Sequence, residues 1–140
     1  MGRKKIKKET INFKNNRHSY YNLKYNLILI TKDKKEFINL EIAKKLEYIF
    51  KEQLENKNGS LLDFHAKENF VYLHFELPPN LAPTNIIIIL KTVSSKLIKK
   101  EFGEYIKNFY DNNGFWSENY CVFTEMEKLK EYLDEFFYLT

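Results

Sequence analysis

The side chains with the most evident chemical potential alternate along one predicted strand. Tyr72, His74 and Glu76 are two residues apart, and a period of two places them on the same face of a strand. An imidazole and a carboxylate on one face can hold a divalent metal, with Asp63 or His65 of the neighbouring predicted strand as a further ligand. The alternative interpretation of His74 is a half-exposed strand histidine without a ligand role.

A candidate nucleophile, Tyr132, stands in the last predicted helix. A phenol has an ordinary pKa of about 10, so it needs an activating group to attack a substrate. Tyr132 also lies on an apolar stripe with Leu129, Leu133 and Phe136, which equally predicts a core or interface tyrosine. The residue types alone leave both interpretations open.

Several classes of protein are excluded by composition. Cys121 is the single cysteine, so an internal disulfide and a Cys-based zinc site are excluded. The sequence has no Ser-His-Asp or Cys-His signature and no glycine-rich phosphate loop, and those enzyme classes receive no support. No run approaches the roughly 18 apolar residues of a membrane span, and the basic start lacks the apolar core of a secretory signal. We therefore expect a cytoplasmic protein with no membrane partner.

Positive charge is concentrated at the N-terminus. The 140 residues carry a net charge of +4, yet the first 35 hold eleven basic and two acidic residues. This distribution predicts a flexible basic arm over residues 1–17 that contacts phosphates, although a solvated tail is the alternative. A second basic cluster surrounds a later predicted helix. The candidate phosphate-contacting residues are Arg3, Lys4, Lys5, Lys7, Lys8 and Arg17 of the arm, and Lys91 and Lys96 of the helix.

The order of the predicted elements indicates the fold that positions these residues. Period-two and helical spacing predict the order β-α-β-β-α-β-α. The segments are a strand over 20–31, a helix over 40–54, strands over 60–66 and 70–77, a helix over 84–102, a strand over 120–124 and a helix over 126–139. This order predicts an α+β, ferredoxin-like (split βαβ) four-stranded antiparallel sheet with helices on one face plus a C-terminal helix. Residues 18–140 then form a single domain, and the other sheet face is open to a site or a partner.

Three stretches and one tyrosine carry a family resemblance. They are His18-Ser19-x-Tyr21-Asn22-Leu23-x-Tyr25, Pro78-Pro79 followed by Pro83 and Leu90-Lys91-x-x-Ser94-Ser95, Phe115-Trp116-Ser117-x-x-Tyr120-x-Val122-x-Thr124, and Tyr132. In this order and spacing they resemble the HUH-type single-tyrosine transposases of small bacterial insertion sequences, the IS200-like family with its REP-associated relatives. The resemblance covers nearly the whole chain after the basic arm.

The resemblance implies a definite chemistry. In such proteins two histidines flanking a bulky apolar residue on a central strand bind Mg²⁺ or Mn²⁺, and a helix residue four positions after the tyrosine completes the site. The metal polarises a phosphate and the tyrosine oxygen attacks it, which links the enzyme to single-stranded DNA. The resemblance also implies a homodimer and recognition of single-stranded or hairpin DNA, with Tyr132 at the nucleophile position.

This sequence departs from the family at all three ligand positions. Counted back from Pro78-Pro79, the two histidine positions fall on Phe70 and Tyr72, and the helix position falls on Phe136. Aromatic side chains are poor ligands for a hard cation, so we expect no metal cofactor and loss of strand cleavage. We therefore predict a transposase-like protein that binds single-stranded or hairpin DNA. The alternatives are an active transposase that uses Tyr132 with a remodelled metal site, and a protein-interaction module.

Overall fold

The structure, a computed structural model, describes residues 13–110, 114–125 and 127–140. These residues contain nine α-helices and β-strands. In chain order they are β1 (Lys14–Asn15), β2 (Tyr20–Tyr21), β3 (Lys24–Thr31), α1 (Leu40–Asn56), β4 (Ser60–Lys67), β5 (Phe70–Glu76), α2 (Pro83–Ile106), β6 (Trp116–Phe123) and α3 (Leu129–Leu139). None of the helices in these residues is long and apolar enough to cross a membrane.

Four of the strands form one antiparallel sheet in the order β4-β5-β3-β6. The two central strands are β3 and β5, and Ile28 of β3 lies opposite Tyr72 of β5. On its other side β3 pairs with β6, so that Asn26 lies opposite Phe123. This order and the two crossover helices confirm the predicted ferredoxin-like α+β fold.

Helices α1 and α2 cover one face of the sheet. The Asn39 side chain caps α1 by accepting a hydrogen bond from the backbone N–H of Ile42, at 2.8 Å. Pro83 occupies the first turn of α2, where its missing N–H costs nothing. The core between these helices and the sheet contains side chains from all four strands and both helices, including Leu27, Leu46, Phe50, Leu73, Phe75, Ile87 and Leu90.

Helix α3 packs on the opposite face of the sheet. It contributes Phe136 to a second, smaller cluster with Ile28, Ile30, Tyr72 and Phe123. The sequence predicted that this face would be open. Helix α3 instead covers one end of it, because the apolar stripe of the helix packs against the sheet. The other end of the face carries the polar side chains of β4 and β5.

Several predicted boundaries were wrong. The strand predicted over 20–31 is divided, because Tyr20 and Tyr21 pair with Asn15 and Lys14 rather than with the sheet. The last strand begins at Trp116 and not at residue 120. From Glu101 the sequence allowed either an extension of α2 or a separate shorter helix, and α2 is extended to Ile106 with a local bend at Phe102. Strand pairing and tertiary contact extend these elements beyond what their own sequence periodicity indicates.

The predicted basic arm lies only partly within the described residues. Of its candidate residues, Arg3, Lys4, Lys5, Lys7 and Lys8 fall outside them. Residues 14 and 15 pair with β2 in a small hairpin, and the Asn16 side chain accepts hydrogen bonds from the backbone N–H groups of His18 and Ser19 at 2.9 and 2.8 Å. This closed turn places Arg17 at the exposed tip of the hairpin.

Candidate functional site

The three positions that the resemblance assigns to metal ligands lie together under α3. Phe70 and Tyr72 project from β5 on the face that α3 covers, and Phe136 comes down from α3. Phe70 meets Phe137 edge to face, with ring centroids 5.1 Å apart. Period two places Phe70 and Tyr72 on one face of β5. With Phe123 of β6 and Phe136 and Phe137 of α3 they form a single group, which we define as the aromatic cluster.

Tyr72 is the polar member of this cluster. Its hydroxyl donates to Oδ1 of Asn26 at 2.6 Å, and Nδ2 of Asn26 donates to the carbonyl of Phe123 at 3.2 Å. Burial, followed by the charge of Asp63, raises the pKa of Tyr72 to about 12. Tyr72 therefore remains a neutral hydrogen-bond donor at physiological pH, and the chain Tyr72–Asn26–Phe123 links three strands of the sheet.

The residues present do not fit Mg²⁺ or Mn²⁺ at these positions. The rings of Phe70 and Phe136 have no donor atom, and the Tyr72 oxygen is neutral and hydrogen-bonded. Hard cations take charged or carbonyl oxygens, or an imidazole, in an open coordination sphere. Within the residues that the structure describes there is no group of three or more histidine, cysteine, aspartate or glutamate side chains able to hold a metal.

Tyr132 borders the aromatic cluster, with its hydroxyl at the surface. Its ring stacks on Phe123 at a centroid distance of 4.1 Å and an interplanar angle of 13°. Its hydroxyl donates to Oε1 of Glu125 at 3.0 Å, and this hydrogen bond is the largest cause of a raised pKa of Tyr132. Sequence reasoning missed Glu125, because it lies in the connection between β6 and α3, where no periodic pattern marks it.

The polar side chains of β4 and β5 have separate partners instead of one shared centre. The Nδ1 atom of His74 lies 3.2 Å from the carbonyl oxygen of Tyr25, and burial lowers the pKa of His74. His65 contacts Asp63 at 3.1 Å. On the same face, Glu76 is buried and forms an ion pair with Lys14 at 3.7 Å, which fastens the β1–β2 hairpin to the sheet.

The two candidate DNA-binding lysines of α2 differ in their surroundings. The amine of Lys91 donates to the carbonyls of Ser117 and Glu118 at 3.0 and 3.3 Å and lies 5.7 Å above the ring of Tyr120. Lys91 therefore connects α2 to β6. Lys96 is exposed on the same helix.

Comparisons with known proteins agree with this fold. Transposases for insertion sequence element IS200 from Salmonella typhimurium and Salmonella typhi are each 25% identical over 119 residues, covering 83% of this chain and 78% of each relative. A crystal structure of a candidate transposase from Deinococcus radiodurans superimposes with a TM-score of 0.81 at 22% identity, over 89% of this chain and 95% of that one. A REP-associated tyrosine transposase bound to a REP hairpin gives a TM-score of 0.51 at 6% identity, over 86% and 69% of the chains.

The family assignment rests on the length of chain that is matched. Residues 19–136 match the family described as transposase IS200-like, which includes every strand of the sheet, both crossover helices and most of α3. Tyr132 and every member of the aromatic cluster except Phe137 lie within the matched residues. The chain belongs to the IS200-like transposase family.

Proposed function

We propose that this family member binds single-stranded or hairpin DNA and has lost metal-dependent strand cleavage. The observation that carries the proposal is the aromatic cluster, in which Phe70, Tyr72 and Phe136 pack together at the expected ligand positions. Side chains packed in this way exclude water and stabilise the sheet through burial. The site has become part of the core, so the DNA-binding role is the one that remains.

Two observations support the choice of DNA as the partner. A structural neighbour was solved bound to a REP hairpin, a folded single strand of DNA. The hairpin formed by β1 and β2 carries two exposed side chains three residues apart, the cation Arg17 and the aromatic ring of Tyr20. A cation beside an exposed aromatic ring suits a phosphate next to an unpaired base.

Binding is tested with three labelled oligonucleotides of the same composition: a hairpin, an unpaired strand and a duplex. We expect the first two to be retained in a gel shift at low salt and to be released steeply as salt is added. A variant without residues 1–12 is expected to show a shallower salt slope, because that segment holds five of the candidate cations. Failure of all three DNAs to bind at low salt contradicts the proposal and favours a protein-interaction module.

Loss of cleavage is tested separately. The wild-type protein is incubated with labelled single-stranded DNA and Mn²⁺, and denaturing electrophoresis is used to detect a covalent adduct. We expect no adduct. A metal-dependent adduct formed by the wild-type protein contradicts the loss of cleavage while leaving DNA binding intact.

One observation favours a second candidate function, cleavage by a remodelled site. The exposed hydroxyl of Tyr132 donates to the Glu125 carboxylate, an arrangement in which a base can accept the proton of an attacking phenol. If this site acts, Tyr132→Phe abolishes the adduct and Glu125→Gln reduces it, whereas Tyr138→Phe leaves it unchanged. Tyr138 is the matched control because it is an exposed tyrosine on the same helix.

We further propose that the protein forms a homodimer, as the family resemblance implies, and that it acts in the cytoplasm. Sedimentation equilibrium of the full chain, with and without a hairpin oligonucleotide, measures the oligomeric state. A monomer in both samples contradicts the dimer.

A further inference from the structure

A groove on the outer side of α2 combines cations, hydroxyls and an aromatic wall. It has a volume of about 400 Å³ and is lined by Lys91, Thr92, Ser95, Lys96, Lys99 and Trp116. Because α2 covers the sheet face opposite α3, the groove lies on the other side of the sheet from the aromatic cluster. The groove and the cluster are separate features of the molecule.

The walls of the groove are held in place by hydrogen bonds. The indole N–H of Trp116 donates to Oγ of Ser94 at 2.9 Å, which fixes the ring of a residue that is only 8% exposed. The amine of Lys91 is bound to two carbonyls of β6. These contacts fix the spacing between α2 and β6, so the groove exists before any ligand arrives.

The free cations of the groove lack an anionic counterpart. Burial, and then the positive charge of Lys32, lower the pKa of Lys99. In the described part of the chain neither Lys96 nor Lys99 forms an ion pair with a carboxylate. The Lys99 amine, which is partly desolvated and near a like charge, is stabilised when an anion binds beside it.

The surroundings limit which anion can bind. The hydroxyls of Thr92 and Ser95 line the same groove and can donate to oxyanions, as can the two amines. Trp116 is too deeply buried to stack on a base. The adjoining cavity is lined by Lys32 as well as Asp33 and Glu118, so its charges are mixed, whereas the charged side chains of the groove are all lysines. A chain of phosphates with its bases turned away is the ligand that suits these features.

We propose that this groove binds the sugar–phosphate backbone of the DNA strand, with Lys96 and Lys99 contacting phosphate oxygens and Thr92 and Ser95 donating to them. This inference rests on the proposed function, since it assigns a backbone site to the same DNA. Phosphate contacts fix the position of a strand without reading its sequence. Binding in the groove is therefore independent of base sequence and sensitive to salt.

The test compares two double variants that remove the same charge. Lys96→Ala/Lys99→Ala removes the groove cations, and Lys44→Ala/Lys51→Ala removes two exposed lysines of α1. We expect the groove variant to bind a labelled hairpin oligonucleotide about tenfold more weakly and to lower the slope of log K against log salt by about 1.4 to 1.8. The control variant should change both quantities much less. Circular dichroism confirms that both variants are folded.

Trp116 supplies a second readout, because it is the single tryptophan of the chain and lines the groove. We expect its emission to change when the oligonucleotide is added to the wild-type protein or the control variant, and to stay constant with the groove variant. Equal losses of affinity in both variants, or bound DNA without a change in emission, overturn the groove while leaving the proposed DNA binding intact. Absence of all DNA binding by the wild-type protein overturns both.

Discussion

The two faces of the sheet are covered in different ways. Under α1 and α2 lies a large core whose central side chains, such as Leu46, Phe50 and Phe75, are fully buried. Under α3 lies a small cluster in which Phe123 and Phe136 retain 8% exposure and Tyr72 is tied to Asn26. The first face supplies most of the burial that stabilises the fold, whereas the second holds the positions that the family resemblance assigns to metal ligands. The two faces should therefore respond differently to substitution.

The largest effect is expected from the face under α1 and α2. Phe50→Ala removes a fully buried ring and should lower the free energy of unfolding by about 3–5 kcal/mol, because the cavity cannot close completely. Urea unfolding followed by circular dichroism measures this change. Tyr48→Ala, an exposed aromatic residue on the same helix, is the control and should change it by less than about 0.5 kcal/mol.

The next largest loss of stability is expected from the face under α3, and it should leave the other face unaffected. Phe136→Ala is expected to cost about 3 kcal/mol, at the low end for a phenylalanine, because its site is at the surface end of a small cluster. Hydrogen exchange should show α3 losing protection while α1 and α2 keep theirs. If protection falls equally in all three helices, the two faces are one cooperative unit and the comparison fails.

A smaller effect concerns the polar member of the aromatic cluster. Tyr72→Phe leaves Oδ1 of the buried Asn26 without this donor and should cost about 1–3 kcal/mol at neutral pH. The exposed pair Tyr48–Glu52 provides the control, since Tyr48→Phe should cost little.

The same variant, Tyr72→Phe, should also change how stability depends on pH in the alkaline range. Because burial holds the pKa of Tyr72 at about 12, its neutral form stabilises the fold below pH 10, and this contribution is lost as pH rises from 10 towards 12. Stability measured across that range should therefore fall less steeply in Tyr72→Phe than in the wild-type protein. Parallel curves contradict a buried, neutral Tyr72.

The smallest effect is expected at the polar end of the same face. Burial lowers the pKa of His74, with Lys24 acting in the same direction and the Tyr25 carbonyl, Asp63 and Glu76 opposing it. The folded protein therefore binds this proton less readily than the unfolded chain, and stability is lost as pH falls below about 6.5. His74→Gln should make stability less sensitive to acid between pH 7.5 and 5 than it is in the wild-type protein or in His65→Gln. An unchanged pH profile contradicts this assignment.

The fold was predicted from the spacing of apolar residues, whereas three members of the aromatic cluster were predicted from the family resemblance. Periodicity was sufficient for β5 and α1. For α2, the run Ile86–Ile89 also suits a buried strand, and Pro83 and the length of the helical pattern decided for a helix. The aromatic positions Phe70, Tyr72 and Phe136 followed from the family resemblance, and the structure shows that they lie in one cluster. Element boundaries such as the start of β6 at Trp116 were missed, since pairing with β3 decides them.

The partners within the site were beyond sequence reasoning. Asn26 is 46 residues before Tyr72 in the chain and meets it only through the register of β3 on β5. Glu125 lies in the connection before α3, seven residues ahead of Tyr132, and accepts a hydrogen bond from its hydroxyl. The like charges of Lys32 and Lys99 come from separate elements. Such contacts depend on strand register and loop path, which residue types alone do not determine.

The position of β3 in the middle of the sheet has a consequence for synthesis of the protein. Asn26 and Phe123, which are hydrogen-bonded neighbours, are separated by 97 residues. When β3, β4 and β5 have left the ribosome, β6 is not yet available for pairing. One edge of the apolar central strand β3 therefore stays unpaired until most of the chain has been made. Long-range pairing of this kind slows folding. We expect truncated products that end before residue 116 to aggregate, and the nascent chain to depend on chaperones until β6 closes the sheet.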